Sequence, residues 1–388
     1  MNHDLRALRN EPFRILFPIG YFFLVFGLGV WSVKLLGESG EAARAHAVFL
    51  ADGFLFSFAA GIILTEIPGL LAIPPMPLPQ LVVLALCIIS ICVTALNANI
   101  FQARAFHLLS LLNLAVYLGQ GLVKTDKKWH PGPAICFVAV LFWIAATVAS
   151  LLADVSALPM LVSDSMAYAG AQAFFLLFCA ACVRWEQEPA TETGRPLSKS
   201  TLLLPALLLL LVSLFMEEGA VATGRPGAAI SAAYALRALV FAWFILRRQY
   251  HCTIWREKSR HGFLARLGLL FVVIGNALTA FNPGRAILYN HVAYLAGFSW
   301  ILLASATGLA VFRLNIAWKK HSVVLVGLGG LSLMGALVAR IAAGYVLQAR
   351  SGLLTGAAVL ALAPLFIWAV LFFPYFGDLG SSQGDSPP

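Results

Sequence analysis

The stretch from Asn282 to Arg313 (NPGRAILYNHVAYLAGFSWILLASATGLAVFR) constrains the fold more than any other. A Pro-Gly-Arg turn opens it, and about 25 mostly apolar residues follow, enough at 1.5 Å per residue to cross a hydrocarbon core of roughly 30 Å as a helix. Gly297, Ser299, Ala304, Ser305, Ala306, Thr307 and Gly308 give this run the small residues that let membrane helices approach closely. One imidazole, His291, sits near its start. A neutral His there is either a metal or haem ligand or a helix-end residue bonded to water or a carbonyl.

The same pattern recurs along the chain. Apolar stretches fall at about 14–36, 46–73, 80–100, 105–123, 133–153 and 159–184, then at 201–217, 227–248, 262–281, 286–313, 321–347 and 353–376. Composition agrees: 11% of residues are charged and mean hydropathy is +0.88, whereas soluble domains carry roughly 25% charged residues. The expected fold is all-α, a polytopic transmembrane bundle of about twelve spans forming one integral-membrane domain over residues 1–377. The longest hydrophilic loop is expected at about 184–200, and residues 378–388 as a disordered tail. The polar N-terminal lead lacks a small-residue cleavage site, so the first span is expected to be retained.

Net charge is +9, but no RNA- or DNA-binding motif accompanies it. The basic residues instead sit in short loops, with a bias of about three to one toward the side holding the N-terminus. That bias predicts both termini in the cytoplasm.

Ionisable side chains inside a span are costly and face the bundle interior or a cavity. Asp52, Asp164, His291 and Arg340 lie toward the outer ends of four different helices. They are expected to share an outward-opening polar pocket in which Arg340 neutralises one acid; the alternative is water-facing residues at helix ends. Arg237 lies near the middle of its stretch and needs a carboxylate, a propionate or several carbonyls. Glu66 precedes a Pro near the inner face and reads as interfacial. Cys179 and Cys182 form a C-x-x-C on one helix face, without a second pair or a nearby His to complete a metal site. Nucleotide-binding, zinc-protease and Ser/His/Asp patterns are all missing, so the chain is not read as an enzyme.

Several segments together resemble the NnrS family, twelve-span bacterial inner-membrane proteins. These are RNEPFRILFPIGYFF, DGFLFSFAAGIILTEIP, WREKSRHGFLARLGLLFVVIGNAL, NHVAYLAGFSWILLA and LVARIAAGY, collinear over nearly the whole chain. The resemblance implies a haem- and copper-binding membrane protein that acts in the response to nitric oxide. His291 and Arg340 hold clear motif positions; His291 is then the metal ligand, with Arg340 or Arg237 on a haem propionate. Most other family histidines are substituted. Leu50, Asp52 and Gly53 stand where the family has H-x-H-E, with His46 out of register, and Arg266 stands for another His. The lipid bilayer and nitric oxide, or a small redox-active ligand, are the implied partners. A small-solute transporter and a cofactor-free membrane partner protein are the alternative readings.

Overall fold

The computed structural model describes residues 3–29, 39–125, 131–156, 160–185, 203–222, 226–246, 260–314, 316 and 319–377. The expected long loop falls almost wholly outside these residues, as does the expected disordered tail. The described residues are helical throughout, with short connections and no strand.

A short amphipathic helix, α1 (His3–Asn10), precedes α2 (Phe13–Gly29). Helix α3 is continuous through Ser39–Ala47, a π-helical segment Val48–Leu55, and Phe56–Leu71. Then come α4 (Leu78–Leu96), α5 (Ile100–Lys124), α6 (Pro131–Val155) and α7 (Met160–Trp185). The second half holds α8 (Leu203–Ala222), α9 (Pro226–Leu246) and α10 (Arg260–Phe281). Helix α11 runs through a 3-10 turn Pro283–Arg285, Ala286–His291, a second π segment Val292–Phe298, and Ser299–Arg313. Helices α12 (Lys319–Ala342) and α13 (Arg350–Gly377) complete the bundle. A helix thus occupies each of the twelve expected stretches. Nine helices among the described residues are long and apolar enough to cross a membrane; Phe13–Gly29 and Met166–Ala181 are shorter apolar helices.

Consecutive helices pack as antiparallel pairs, most extensively α6 with α7 and α12 with α13. The two ends of the chain meet. Phe17 of α2 stacks on Phe58 of α3 at 4.6 Å, and Trp368 of α13 lies 5.8 Å from Phe58. The Trp368 indole donates to Thr307 Oγ1 of α11 at 2.9 Å, and Arg14 donates to the Tyr375 carbonyl at 2.8 Å. Helices α2 and α13 therefore close the bundle through aromatic contact and a buried polar tie.

Helices α10 and α11 approach most closely through glycine. A Cβ at Gly275 would meet the Ala293 amide at 2.8 Å, and one at Gly297 would meet Val272 at 2.7 Å. This backbone-to-backbone contact is what small residues provide where lipid gives no hydrophobic drive for association. It also sets the depth of the second π segment and of the residues just before it. Local widening of this kind recurs at functional sites, and in this chain it falls in the two helices that carry His46, Asp52 and His291.

Candidate functional site

Helix direction alternates, so the starts of α3, α5, α7, α9 and α11 lie at the same end of the bundle as the ends of α4, α6, α8, α10 and α12. Every polar residue singled out toward the outer face falls at this end. The structure sorts them into three neighbouring groups rather than one pocket.

In the first group, Arg104 of α5 is the hub. Its guanidinium pairs with Asp164 of α7, pairs with Asp154 of α6 at 3.1 Å, and donates to Ser163 Oγ. Arg44 of α3 reaches the same Asp164 oxygen at 3.1 Å. Four helices are tied by two guanidinia and two carboxylates, the charge-assisted geometry that Arg suits. Asp164 is thus neutralised by Arg104 and Arg44, and Arg340, expected to neutralise one acid of a shared pocket, pairs with neither Asp164 nor Asp52. An open cleft of about 400 Å³ lies here, lined by Arg44, Asn97, Asn99, Phe101 and Asp154 among others.

Asp52 lies nearby but turns elsewhere. It is buried in the π segment of α3 and faces His107 of α5, Oδ1 to Nε2 at 3.9 Å. His107 sits against Trp143 and Phe56, ring centroids 4.5 and 5.0 Å away, and neither of its ring nitrogens has a hydrogen-bond partner. It was not singled out from sequence because one His early in an apolar stretch carries no pattern.

The second group contains His291. Its Nδ1 lies 2.7 Å from the carbonyl of Ile287, one turn earlier. His46 of α3 is built the same way, with Nδ1 2.7 Å from the carbonyl of Gly27 in α2. The two imidazoles and Arg340 of α12 lie within electrostatic range of one another. A carbonyl accepts only from an N–H, so each neutral ring carries its proton on Nδ1 and its lone pair on Nε2. Fixing a ring in this way is how proteins prepare an imidazole to bind a metal. His46 is out of register with the family pattern, yet it stands four residues before Leu50 and so on the same helix face. Helical period, rather than alignment, was the usable signal. Beside this group a cleft of about 390 Å³ is lined by Pro283, Arg285, Ile287, Leu288, Arg340 and Gly344. Among the described residues Arg340 has no carboxylate within ion-pair distance, and Arg285 stacks on Tyr345 at 4.1 Å.

The third group surrounds Arg237, which is 0% exposed. Its Nη2 lies 2.6 Å from Glu217 Oε2 of α8, and its Nε donates to Ser213 Oγ at 3.0 Å. Tyr234 donates to Glu217 Oε1 at 2.6 Å and accepts from Asn290 of α11 at 2.9 Å. Arg237 therefore has a carboxylate from its own chain and does not require a propionate. The apolar stretch 201–217 ends at Glu217 in sequence, whereas α8 continues to Ala222 and places the acid five residues inside. On α11, Asn290 links this network to the neighbouring His291.

Among the described residues no three His, Cys, Asp or Glu side chains come together as a metal-binding cluster. Cys179 is buried, and the side chain of Cys182 lies outside the described ones. Beside the second cleft stand two imidazoles, His46 and His291, each with Nδ1 on a backbone carbonyl, and the guanidinia of Arg340 and Arg285. Among the described residues, imidazole nitrogens next to guanidinia would suit a haem with its acidic substituents better than a copper centre built from three or more donors.

No curated protein matches the chain at a significant level. A family model described as NnrS protein matches residues 7–378, nearly the whole length and all three polar groups. Collinear from the first helix to the last, the chain belongs to the NnrS family.

Proposed function

We propose that the chain is a twelve-span protein of the bacterial cytoplasmic membrane, with both termini in the cytoplasm, that binds haem and serves in the response to nitric oxide. Family membership supports this reading. The observation that carries it is the pair of imidazoles, His46 and His291, each with Nδ1 committed to a backbone carbonyl. Both rings are thereby held as neutral Nε2 donors, and they come from helices whose π segments adjoin them.

The chain's own contribution is orientation and charge. The carbonyls of Gly27 and Ile287 hold the proton on Nδ1 and fix the ring planes. Arg340 and Arg285, which line the adjoining cleft, would hold the carboxylates of the haem edge. The apolar walls of α10 to α12 exclude water behind the rings. A bound haem iron would supply the electronic structure that binds a diatomic gas, provided that one of the two imidazoles yields its place on the iron. Copper at the same two imidazoles is the less well supported alternative, because no third His, Cys, Asp or Glu joins them among the described residues.

The test is the absorption spectrum of the full chain extracted in mild detergent, with iron and copper measured on the same sample. A Soret band that is lost in His291→Ala and shifted or lost in His46→Ala is expected. A colourless, metal-free protein from haem-replete cells would end the reading. A deletion strain that grows normally with nitric oxide donors would remove the physiological part of it.

A further inference from the structure

Buried away from His46 and His291, the network around Arg237 has features that the haem reading does not use. Five helices contribute to it. Glu217 and Ser213 come from α8, Tyr234 and Arg237 from α9, Tyr168 from α7, Asn290 and Tyr294 from α11, and Thr279 from α10. Arg237 Nη1 is fully buried and has no hydrogen-bond partner. The buried hydroxyls of Tyr168 and Tyr294, rings 5.9 Å apart, interact with one another and have no other hydrogen-bond partner. Both hydroxyls lie within electrostatic range of Glu217, and Tyr294 and Tyr168 within range of Arg237. A guanidinium nitrogen without an acceptor thus lies near a pair of hydroxyls that share one bond and keep one O–H to spare, all in the buried interior of the bundle.

Donors left together in a low-dielectric interior call for an acceptor, because each unpaired group keeps its full desolvation penalty. The charge balance limits which acceptor. Arg237 and Glu217 sum to zero, so adding an anion alone would leave a net negative charge inside the membrane. Adding an anion and a proton would not, since the proton can rest on Glu217 while the anion takes its place beside Arg237. The groups facing Glu217 allow this exchange: Arg237 and Tyr234 from α9, Tyr168 from α7 and Tyr294 from α11, none of which is a second acid.

We infer that Arg237, Glu217, Tyr168 and Tyr294 form a second site, separate from the paired imidazoles, that takes up a small monoanion together with one proton. A proton leaves a solvent hydronium, which becomes water, and forms an O–H bond on a Glu217 carboxylate oxygen, while the anion accepts hydrogen bonds from Arg237 Nη1 and from the one spare tyrosine O–H; no other bond changes. Asn290, bonded to Tyr234, connects the site to the outer end of the bundle.

The experiment uses the full chain in detergent, with sodium formate as the probe between pH 5.5 and 7.5, and reads thermal stabilisation together with proton uptake. In the wild-type protein the apparent Kd should fall about tenfold per unit drop in pH, with one proton taken up per formate. In Glu217→Gln the anion meets an uncompensated guanidinium, so binding should be tight at pH 7.5 and independent of pH. The charge-neutral double variant Glu217→Gln with Arg237→Met should fold and show no formate response. A pH-independent or absent response in the wild type overturns the proposal. So does a response that survives in the double variant, or a Glu217→Gln protein that keeps the wild-type pH slope. Because none of these measurements involves absorbance from haem, failure here leaves the His46–His291 reading standing, and the reverse also holds.

Discussion

Separating Glu217 from Arg237 is the most informative perturbation of stability. The pair is almost fully enclosed, with Arg237 0% and Glu217 8% exposed and the closest approach 2.6 Å. With charge centres about 4 Å apart and an effective dielectric near 20, their attraction is about 4 kcal/mol. Glu217→Gln removes the only carboxylate that Arg237 touches among the described residues, and a guanidinium cannot escape by losing its proton. The expected cost is about 3–5 kcal/mol, the usual penalty for orphaning a buried charge. Arg237→Met also gives up the bonds to Ser213 and the contact with the Tyr234 ring, so it should cost a similar amount. Together the two changes leave no charge behind, and the double variant should cost less than the sum by about 3 kcal/mol. Ordinary hydrogen bonds between membrane helices contribute about 0.6 kcal/mol, so a coupling of this size marks an ion pair. Equilibrium unfolding in mixed micelles with increasing SDS, followed by tryptophan fluorescence, measures all four proteins. Additive single effects, with coupling below about 0.5 kcal/mol, would refute the electrostatic account.

Other expectations follow from the same geometry. Arg104→Met should destabilise by about 1–3 kcal/mol, since it strips hydrogen bonds from two carboxylates, and Arg44→Met by less, because Asp164 keeps Arg104; thermal denaturation in detergent ranks them. Gly297→Ala should cost about 1–3 kcal/mol by pushing α11 from α10, with Val272→Ala, which removes the nearest atoms, recovering part of it in the double variant. At the opposite end Arg313 pairs with Glu66 at 3.0 Å while both are about a third exposed, so Glu66→Gln should change stability by less than about 1 kcal/mol. His291→Ala should abolish the Soret band at little cost to folding, as judged by gel filtration and melting temperature, because the ring's recorded hydrogen bond is to its own helix.

What the chain's order of residues decided alone is its class and its helices. Uninterrupted apolar runs can bury their backbone polar groups in lipid only as helices, so a helix stands at each of the twelve stretches. Pro and charge clusters mark the connections between them. The isolated ionisable residues Asp52, Asp164, Arg237, His291 and Arg340 could also be read as interior. Which partner each would meet was not legible. Arg237 faces Glu217, Asp164 faces Arg104, Asp52 faces His107, and His46 stands with His291. Lipid presents the same apolar surroundings on every side, so no one-dimensional pattern says which face of a helix meets which neighbour. That was decided by the close contact of α10 with α11, by the aromatic closure of α2 on α13, and by the π segment that places Asp52 against His107.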